Sequence, residues 1–183
     1  HALQWLQGEQ PDLVAQQESK LKDDDFPADT FRDYGYVATF SGQSAYNGVA
    51  ILSREPPSGV HVGLGRHYAD EQKPVLGATF GSLRVFCHYV PNGESVESEK
   101  YRYKLEWLAA LRVLLARELA LHPALLVVGD FNIAPDDRDV HNPAAWANHV
   151  QCTPAERAAL GAICELGFSD VFRLFPQPEK VFS

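Results

Sequence analysis

Leu125-Leu126-Val127-Val128-Gly129-Asp130-Phe131-Asn132 is a short apolar run broken by a glycine and followed by an acid and an amide. The apolar run reads as a buried strand over 125–128 that stops at Gly129. On an extended backbone, positions i and i+2 point the same way. Asp130 and Asn132 are therefore expected on one face at the end of a core strand. A carboxylate can bind a hard metal ion or take a proton, and an amide can orient a water or a phosphate oxygen without titrating. That pairing suits hydrolysis of a phosphate ester.

The 183 residues are enough for one domain with a real core, and 45% hydrophobic content points to a packed protein. No apolar run approaches a membrane span, so no membrane partner is expected, and no signal peptide is visible at the start. The chain starts at His1 and has no methionine. It is expected to be an internal fragment or a processed product, cut at both ends, with Glu179-Lys180-Val181-Phe182-Ser183 reading as the start of a strand. Cys87, Cys152 and Cys164 are widely spaced, which argues against a zinc site and for small buried or semi-buried thiols in a reducing cytoplasm. The net charge of −8 is unusual for a nucleic-acid binder, since phosphate contacts need Lys and Arg. In a metal enzyme, however, ligand carboxylates add negative charge, and a local basic strip can coexist with an acidic whole.

Before the Asp130 segment, the pattern predicts a helix to residue 9, a strand over 12–16, and a loop with a short helix over 22–31. Tyr36–Phe40 and Gly48–Ser53 form a hairpin-like pair. Residues 54–74 read as loop with one edge strand. Val75–Phe80 and Leu83–Val90 flank Gly81-Ser82, a two-residue hairpin turn. Ser98 caps a helix to Leu121 with Leu105, Leu108, Leu111 and Leu115 on one stripe, widened by Trp107, Leu114 and Leu119, and Pro123 stops it. Its length of roughly 36 Å would cover one face of a sheet. Residues 130–152 read as a long loop, Thr153 caps a helix running to near Gly167, and Phe168–Phe175 is a last short element. Hairpins, a long helix and a further strand imply a single α/β domain over 1–183 in which helices cover sheets.

Glu18 falls just past the second predicted element, next to Lys20. Alone it would be a surface carboxylate. With Asp130 also beyond a strand end, two carboxylates can converge on one cleft, and Mg²⁺ needs only one or two of them. Tyr89 ends a strand before Pro91-Asn92-Gly93 and is either core or a phenol beside a phosphate. Tyr46-Asn47-Gly48 reads as a turn. The histidines show no ligand spacing, His88 reads as a packing residue, and Asp136-Asp137-Arg138-Asp139 reads as solvated surface. No nucleophile elbow, Walker loop or dinucleotide fingerprint is present.

Taken together, four blocks resemble those of one family. Gln17-Glu18-Ser19-Lys20 resembles its Gln-Glu-Thr-Lys motif. Tyr46 through Arg54 resembles the second block, and Tyr89-Val90-Pro91-Asn92-Gly93 the third. Gly129 through Pro135, continued by Asp139-Val140-His141-Asn142-Pro143, resembles the fourth. These are marks of the bacterial exodeoxyribonuclease III branch of the endonuclease/exonuclease/phosphatase superfamily. The resemblance implies a four-layer α/β/β/α sandwich, here incomplete at both ends. It implies Mg²⁺-dependent (or Mn²⁺-dependent) cleavage of DNA phosphodiesters in base-excision repair, on double-stranded DNA with abasic sites or 3′ ends, by a cytoplasmic monomer. It assigns Glu18 to the metal and Asp130 to the attacking water. Asn132 is assigned to the nucleophile or the phosphate, Tyr89 to the scissile phosphate, and Lys20 and Tyr46 to support of the site and of DNA. The family's Asn strand before this chain and its Ser-Asp-His segment after it have no counterpart here, and Lys73-Pro74 and Cys87-His88 depart from its usual residues. One alternative is a non-catalytic truncated remnant, and 1–183 alone is expected to be weakly active or inactive. Another is a phosphodiesterase acting on RNA or phospholipid head groups.

Overall fold

The computed structural model describes residues 2–42, 48–65, 68 and 75–177. Contacts cluster into two compact units. The first is His1–Tyr89 with Glu118–Asp130; the second is Val90–Arg117 with Phe131–Ser183.

The first unit holds both sheets. Helix α1 (Ala2–Glu9) leads into strand β1 (Leu13–Gln17), and a 3₁₀ turn at Asp23–Asp25 and helix α2 (Ala28–Asp33) precede β2 (Val37–Ser41) and β3 (Val49–Ser53). The three strands pair antiparallel in the order β1-β3-β2, so the expected hairpin is present, with Val37 opposite Ser53 and Ser41 opposite Val49. All five residues of the central strand β3 are buried. The second sheet has the order β4-β5-β6-β7 (Ser58–Val62, Val75–Phe80, Leu83–Tyr89, Leu125–Asp130). Strand β4 is the edge strand anticipated within 54–74. Phe80 pairs with Leu83 across the Gly81-Ser82 turn, and only the first turn residue has positive φ, the arrangement a two-residue hairpin with a leading glycine requires.

Alternation of side chains gives each sheet a face to bury. Val49 and Ile51 from β3 pack with Leu76, Ala78, Val85 and Cys87 from β5 and β6, so the two sheets are stacked. The other face of the first sheet, through Leu52, Val14 and Ala38, packs with Leu6, Phe31 and Tyr36. Helix, sheet and sheet are thus three layers of the first unit. The hairpin β5–β6 is tied to β4 by the nearly buried Arg84. Its guanidinium donates to the Gly59 carbonyl at 2.5 Å and to Thr79 Oγ1 at 3.1 Å, and its Nε donates to Glu118 Oε2 at 2.9 Å.

The strand after the long helix corrects the initial expectation twice. It continues through Gly129 to Asp130, and Leu125–Gly129 are half-buried, in keeping with the strand's place at the end of the sheet order. Its pairing with β6 is parallel, setting His88 against Gly129 and Tyr89 against Asp130. The backbones approach closely there. A Cβ on Gly129, at φ 148°, would lie 2.0 Å from the His88 carbonyl oxygen.

The second unit contains most of helix α3 (Glu99–Leu121), the short α4 (Pro143–Trp146) and α5 (Pro154–Cys164). Ser98 caps α3, its Oγ accepting from the Tyr101 N–H at 3.0 Å. Trp107, Leu108, Leu111, Leu114 and Leu115 are buried as the periodicity demands, while Leu105 and Leu119 are only half-buried. Residues 130–152 are not one featureless loop: a 3₁₀ turn at Asp137–Asp139 and α4 lie within it, each capped by an Asp or Asn side chain. Thr153 caps α5, which ends at Cys164, three residues before Gly167. The last short element is a 3₁₀ turn at Phe172–Leu174. Cys87 and Cys152 are buried and Cys164 is exposed, all three as free thiols. No helix among the described residues is long and apolar enough to cross a membrane.

Gly129→Ala is expected to lower stability by about 2–3 kcal/mol through the clash with His88, measured by urea denaturation. A smaller loss than Ala for Gly in an open turn would contradict the close approach. His88 itself is fully buried, and that burial lowers its pKa from 6.5 to about 4, the neighbouring Val128 backbone opposing the shift. The unfolded chain therefore binds a proton near pH 6.5 that the folded chain refuses until about pH 4. Stability is unaffected above that window and falls as pH drops through it, by about 3 kcal/mol in total. His88→Asn should flatten this part of the stability–pH curve, and identical slopes for the two proteins would refute the assignment.

Candidate active site

The expected residues fall in both units. In the first, β1 ends at Gln17 and the chain turns sharply. Glu18 and Lys20 adopt φ values of 52° and 55°, a left-handed conformation that side chains rarely occupy. Such strain persists where the surroundings hold it, and it gathers at functional sites. Here the surroundings are visible. Ser19 N–H donates to the Gly48 carbonyl at 3.3 Å, and a Cβ on Gly48 would meet Ser19 Oγ at 2.2 Å. The glycine of the Tyr46-Asn47-Gly48 block is therefore required by close approach to the Glu18 turn. Tyr46 lies outside the described residues.

Glu18 is bound on one oxygen. Tyr89, at the end of β6, donates its hydroxyl to Glu18 Oε1 at 2.9 Å. Lys20 Nζ stands 3.7 Å from Oε2, an ion pair between half-exposed groups rather than a hydrogen bond. Tyr89 is in register with Asp130, the exposed last residue of β7. The first unit thus brings Glu18, Lys20 and Tyr89 together and ends the strand beside Tyr89 on a carboxylate.

Asn132 belongs to the second unit, and its backbone departs from the expectation of alternation. At φ 50° it is left-handed, so the extended repeat that would place it on the face of Asp130 stops before it. Tertiary contacts orient its side chain instead. Asn132 Nδ2 donates to the Val90 carbonyl at 2.8 Å. Its Oδ1 accepts from Gln151 Nε2 at 3.0 Å and from Asn92 Nδ2 at 3.3 Å. An amide held at both ends cannot flip, which fixes which edge it presents to a ligand.

Beneath this amide cluster is a charge pair that sequence reasoning passed over. Lys104 and Glu156 both have fully buried side chains, 2.5 Å apart. Lys104 Nζ also donates to the Asn132 carbonyl at 2.6 Å and the Asn92 carbonyl at 3.1 Å. Glu156 Oε1 accepts the Gln151 N–H at 3.0 Å, and its Oε2 accepts from Thr153 N–H at 3.1 Å and Thr153 Oγ1 at 2.7 Å. Two signals pointed to the pair: Lys104 precedes Leu108 and Leu111 on the buried stripe of α3, and Thr153-Pro154-Ala155-Glu156 is a capping-box pattern.

The donor set suits a hard divalent ion. Among the described residues no three His, Cys, Asp or Glu side chains cluster as a zinc site would demand. A half-exposed Glu18 carboxylate with one oxygen outside hydrogen-bond range of Lys20 fits an ion that keeps most of its shell for water and phosphate.

The endonuclease/exonuclease/phosphatase family profile matches residues 1–176. Exodeoxyribonuclease III of Haemophilus influenzae is 33% identical over 186 residues, covering 95% of this chain and 70% of that protein. DNA repair nuclease APEX1 of Danio rerio is 32% identical over 188 residues, covering 100% of this chain and 60% of its own length. Among solved structures, the Neisseria 3′ phosphatase NExo bound to a product DNA hairpin superimposes with a TM-score of 0.92 at 39% identity, over 94% of this chain and 67% of that one. An AP endonuclease from Archaeoglobus fulgidus superimposes with a TM-score of 0.89 at 39% identity, over 94% of this chain and 66% of that one. The chain thus spans between 60% and 70% of the length of these relatives. Its two-sheet α/β fold and its four sequence blocks agree with this match along nearly the whole chain: it belongs to the endonuclease/exonuclease/phosphatase family.

Proposed function

We propose that the protein is a DNA-repair nuclease of the exodeoxyribonuclease III and AP endonuclease type, hydrolysing phosphodiesters of duplex DNA at abasic sites and 3′ ends. The observation that carries this reading is the Tyr89–Glu18 hydrogen bond at the strand end where Tyr89 lies in register with Asp130. The names of the relatives support the substrate: an exodeoxyribonuclease, a DNA repair nuclease, a 3′ phosphatase seen on DNA and an AP endonuclease. Residues 1–183 act as one domain, a reading supported by the family match over 1–176. A reducing cytoplasm agrees with three free thiols, and the protein is read as a monomer there.

In the proposed mechanism Glu18 would hold the divalent metal, Mg²⁺ with Mn²⁺ as substitute, and the ion would supply neutralisation of the charge that develops at the phosphate. Asp130 orients the attacking water and takes its proton as the new P–O bond forms and the P–O bond to the leaving sugar oxygen breaks. Asn132, locked by its amide partners, holds the water or a phosphate oxygen in line. Tyr89 holds Glu18 and offers its phenol to the phosphate. Lys20 keeps positive charge beside Glu18, and Tyr46 contacts DNA. Little covalent work is left to the protein; positioning and charge neutralisation do most of it.

In a chain extended to the length of its relatives, Asp130→Asn should abolish turnover with the circular dichroism spectrum unchanged; retained turnover removes Asp130 from the mechanism. Tyr89→Phe should lower kcat by roughly tenfold to a hundredfold, read on an abasic duplex under saturating Mg²⁺. Chelation by EDTA should stop hydrolysis, and Mg²⁺ should restore it. Comparing an abasic duplex, a recessed 3′ end, poly(A) and a phosphoinositide with one preparation tests the substrate class. Preference for either of the last two would overturn it.

A further inference from the structure

Lys104 and Glu156 reach farther than an ion pair needs to. Ions this deeply buried are costly, and apolar residues of similar volume often replace such pairs without loss of stability. What an apolar residue cannot do is hold several acceptors around one point. A single ammonium here is shared by Glu156, by the Asn132 carbonyl and by the Asn92 carbonyl. Its partner carboxylate takes the Gln151 N–H on the same oxygen. Asn92, Asn132 and Gln151 are the three residues whose side-chain amides interlock at Asn132 Oδ1. Three separate loop segments are therefore fastened through their backbones to one buried charge pair, and the amides they carry meet above it. The left-handed backbone of Asn132 is held at its own carbonyl by that ammonium.

We propose that Lys104 and Glu156 are positioning residues: the buried pair sets the backbone of Asn92, Asn132 and Gln151 so that the Asn132 amide is presented in one fixed orientation to the reacting phosphate or water. This rests on the role given to Asn132 above. Neither charge touches substrate; both act through Asn132. Glycine at 93 belongs to the same device. It adopts φ 98°, and a Cβ there would stand 3.3 Å from Lys104 Cδ, so the chain passes the lysine stem at a conformation and distance that favour glycine.

The test uses the full-length protein, the doubly neutral variant Lys104→Met/Glu156→Gln and the single variant Lys104→Arg. The first leaves no unpaired charge and keeps an acceptor for Gln151. The second keeps the charge but cannot place one nitrogen among three acceptors. Two readouts are taken: kcat and KM on an abasic duplex with Mg²⁺, and the side-chain amide resonance of Asn132, assigned by its loss in Asn132→Asp. Both folded variants should lose roughly 10²-fold in kcat, with KM within about threefold, and the Asn132 resonance should move and exchange faster with solvent. Unchanged kcat and resonance in either variant would overturn the proposal. So would full rescue by Lys104→Arg, which would mean that charge balance alone is served. Loss of folding in both would assign the pair to stability and equally overturn it. If the unmodified protein fails to hydrolyse DNA, the functional reading fails by itself, and the amide resonance still decides whether the pair positions Asn132.

Discussion

The parallel pairing of β6 with β7 is the constraint on which the first unit turns. Every other strand pairing among the described residues is antiparallel, whereas a parallel pair needs a long crossover. The crossover here is α3, and its consequence is that both strands finish at the same end of the sheet. Tyr89 and Asp130, 41 positions apart in the chain by their numbers, become neighbours in register. Gly129 allows this pairing to run to its last residue, because the His88 carbonyl occupies the space a side chain would take. Glu18 then comes to Tyr89 through β1, a strand of the other sheet, so stacking of the two sheets assembles the carboxylate–phenol pair, and the parallel crossover sets Asp130 in register with its Tyr89.

The second unit solves a different problem. Irregular segments carry backbone groups that must find partners, and the loops bearing the Asn92, Asn132 and Gln151 amides cannot rely on a sheet ladder to hold them. Lys104 and Glu156 supply those partners from α3 and α5, two helices whose own ends are capped by Ser98 and Thr153. Thr153 is shared between the cap and the buried carboxylate, and Tyr101 reaches its hydroxyl at 2.6 Å, so the start of α5 is fastened to α3 by polar contacts. Rigid helices thereby define the loops, which is how a chain can hold polar side chains on irregular backbone without surrendering their geometry.

Much of this was legible in local pattern. The strands β2, β3, β5 and β6, the Gly81-Ser82 turn, the Ser98 and Thr153 caps and the stripe on α3 all follow from short-range rules, and the structure bears them out. The failures share a cause. Asp130 and Asn132 looked like one extended face because alternation was assumed to continue, but Asn132 is turned left-handed by contacts with residues far away in sequence. Residues 130–152 looked featureless because their turns are too short for periodicity to register, although Asp136 and Asn142 each cap one. Lys104 looked like an ordinary helix lysine because its acceptors come from three distant segments.

By itself, the sequence determined the element types, the two-sheet α/β character and the family, and it nominated residues to handle a metal, a water and a phosphate. These depend on side-chain period, turn chemistry and motif order, all of which are local. Tertiary structure alone decided that Tyr89 donates to Glu18, that β7 runs parallel to β6 as far as Asp130, and that a buried lysine and glutamate lie under the Asn132 amide. Each of those is a meeting of residues brought together only when the apolar faces are buried, and no short-range rule encodes which distant partners burial will select.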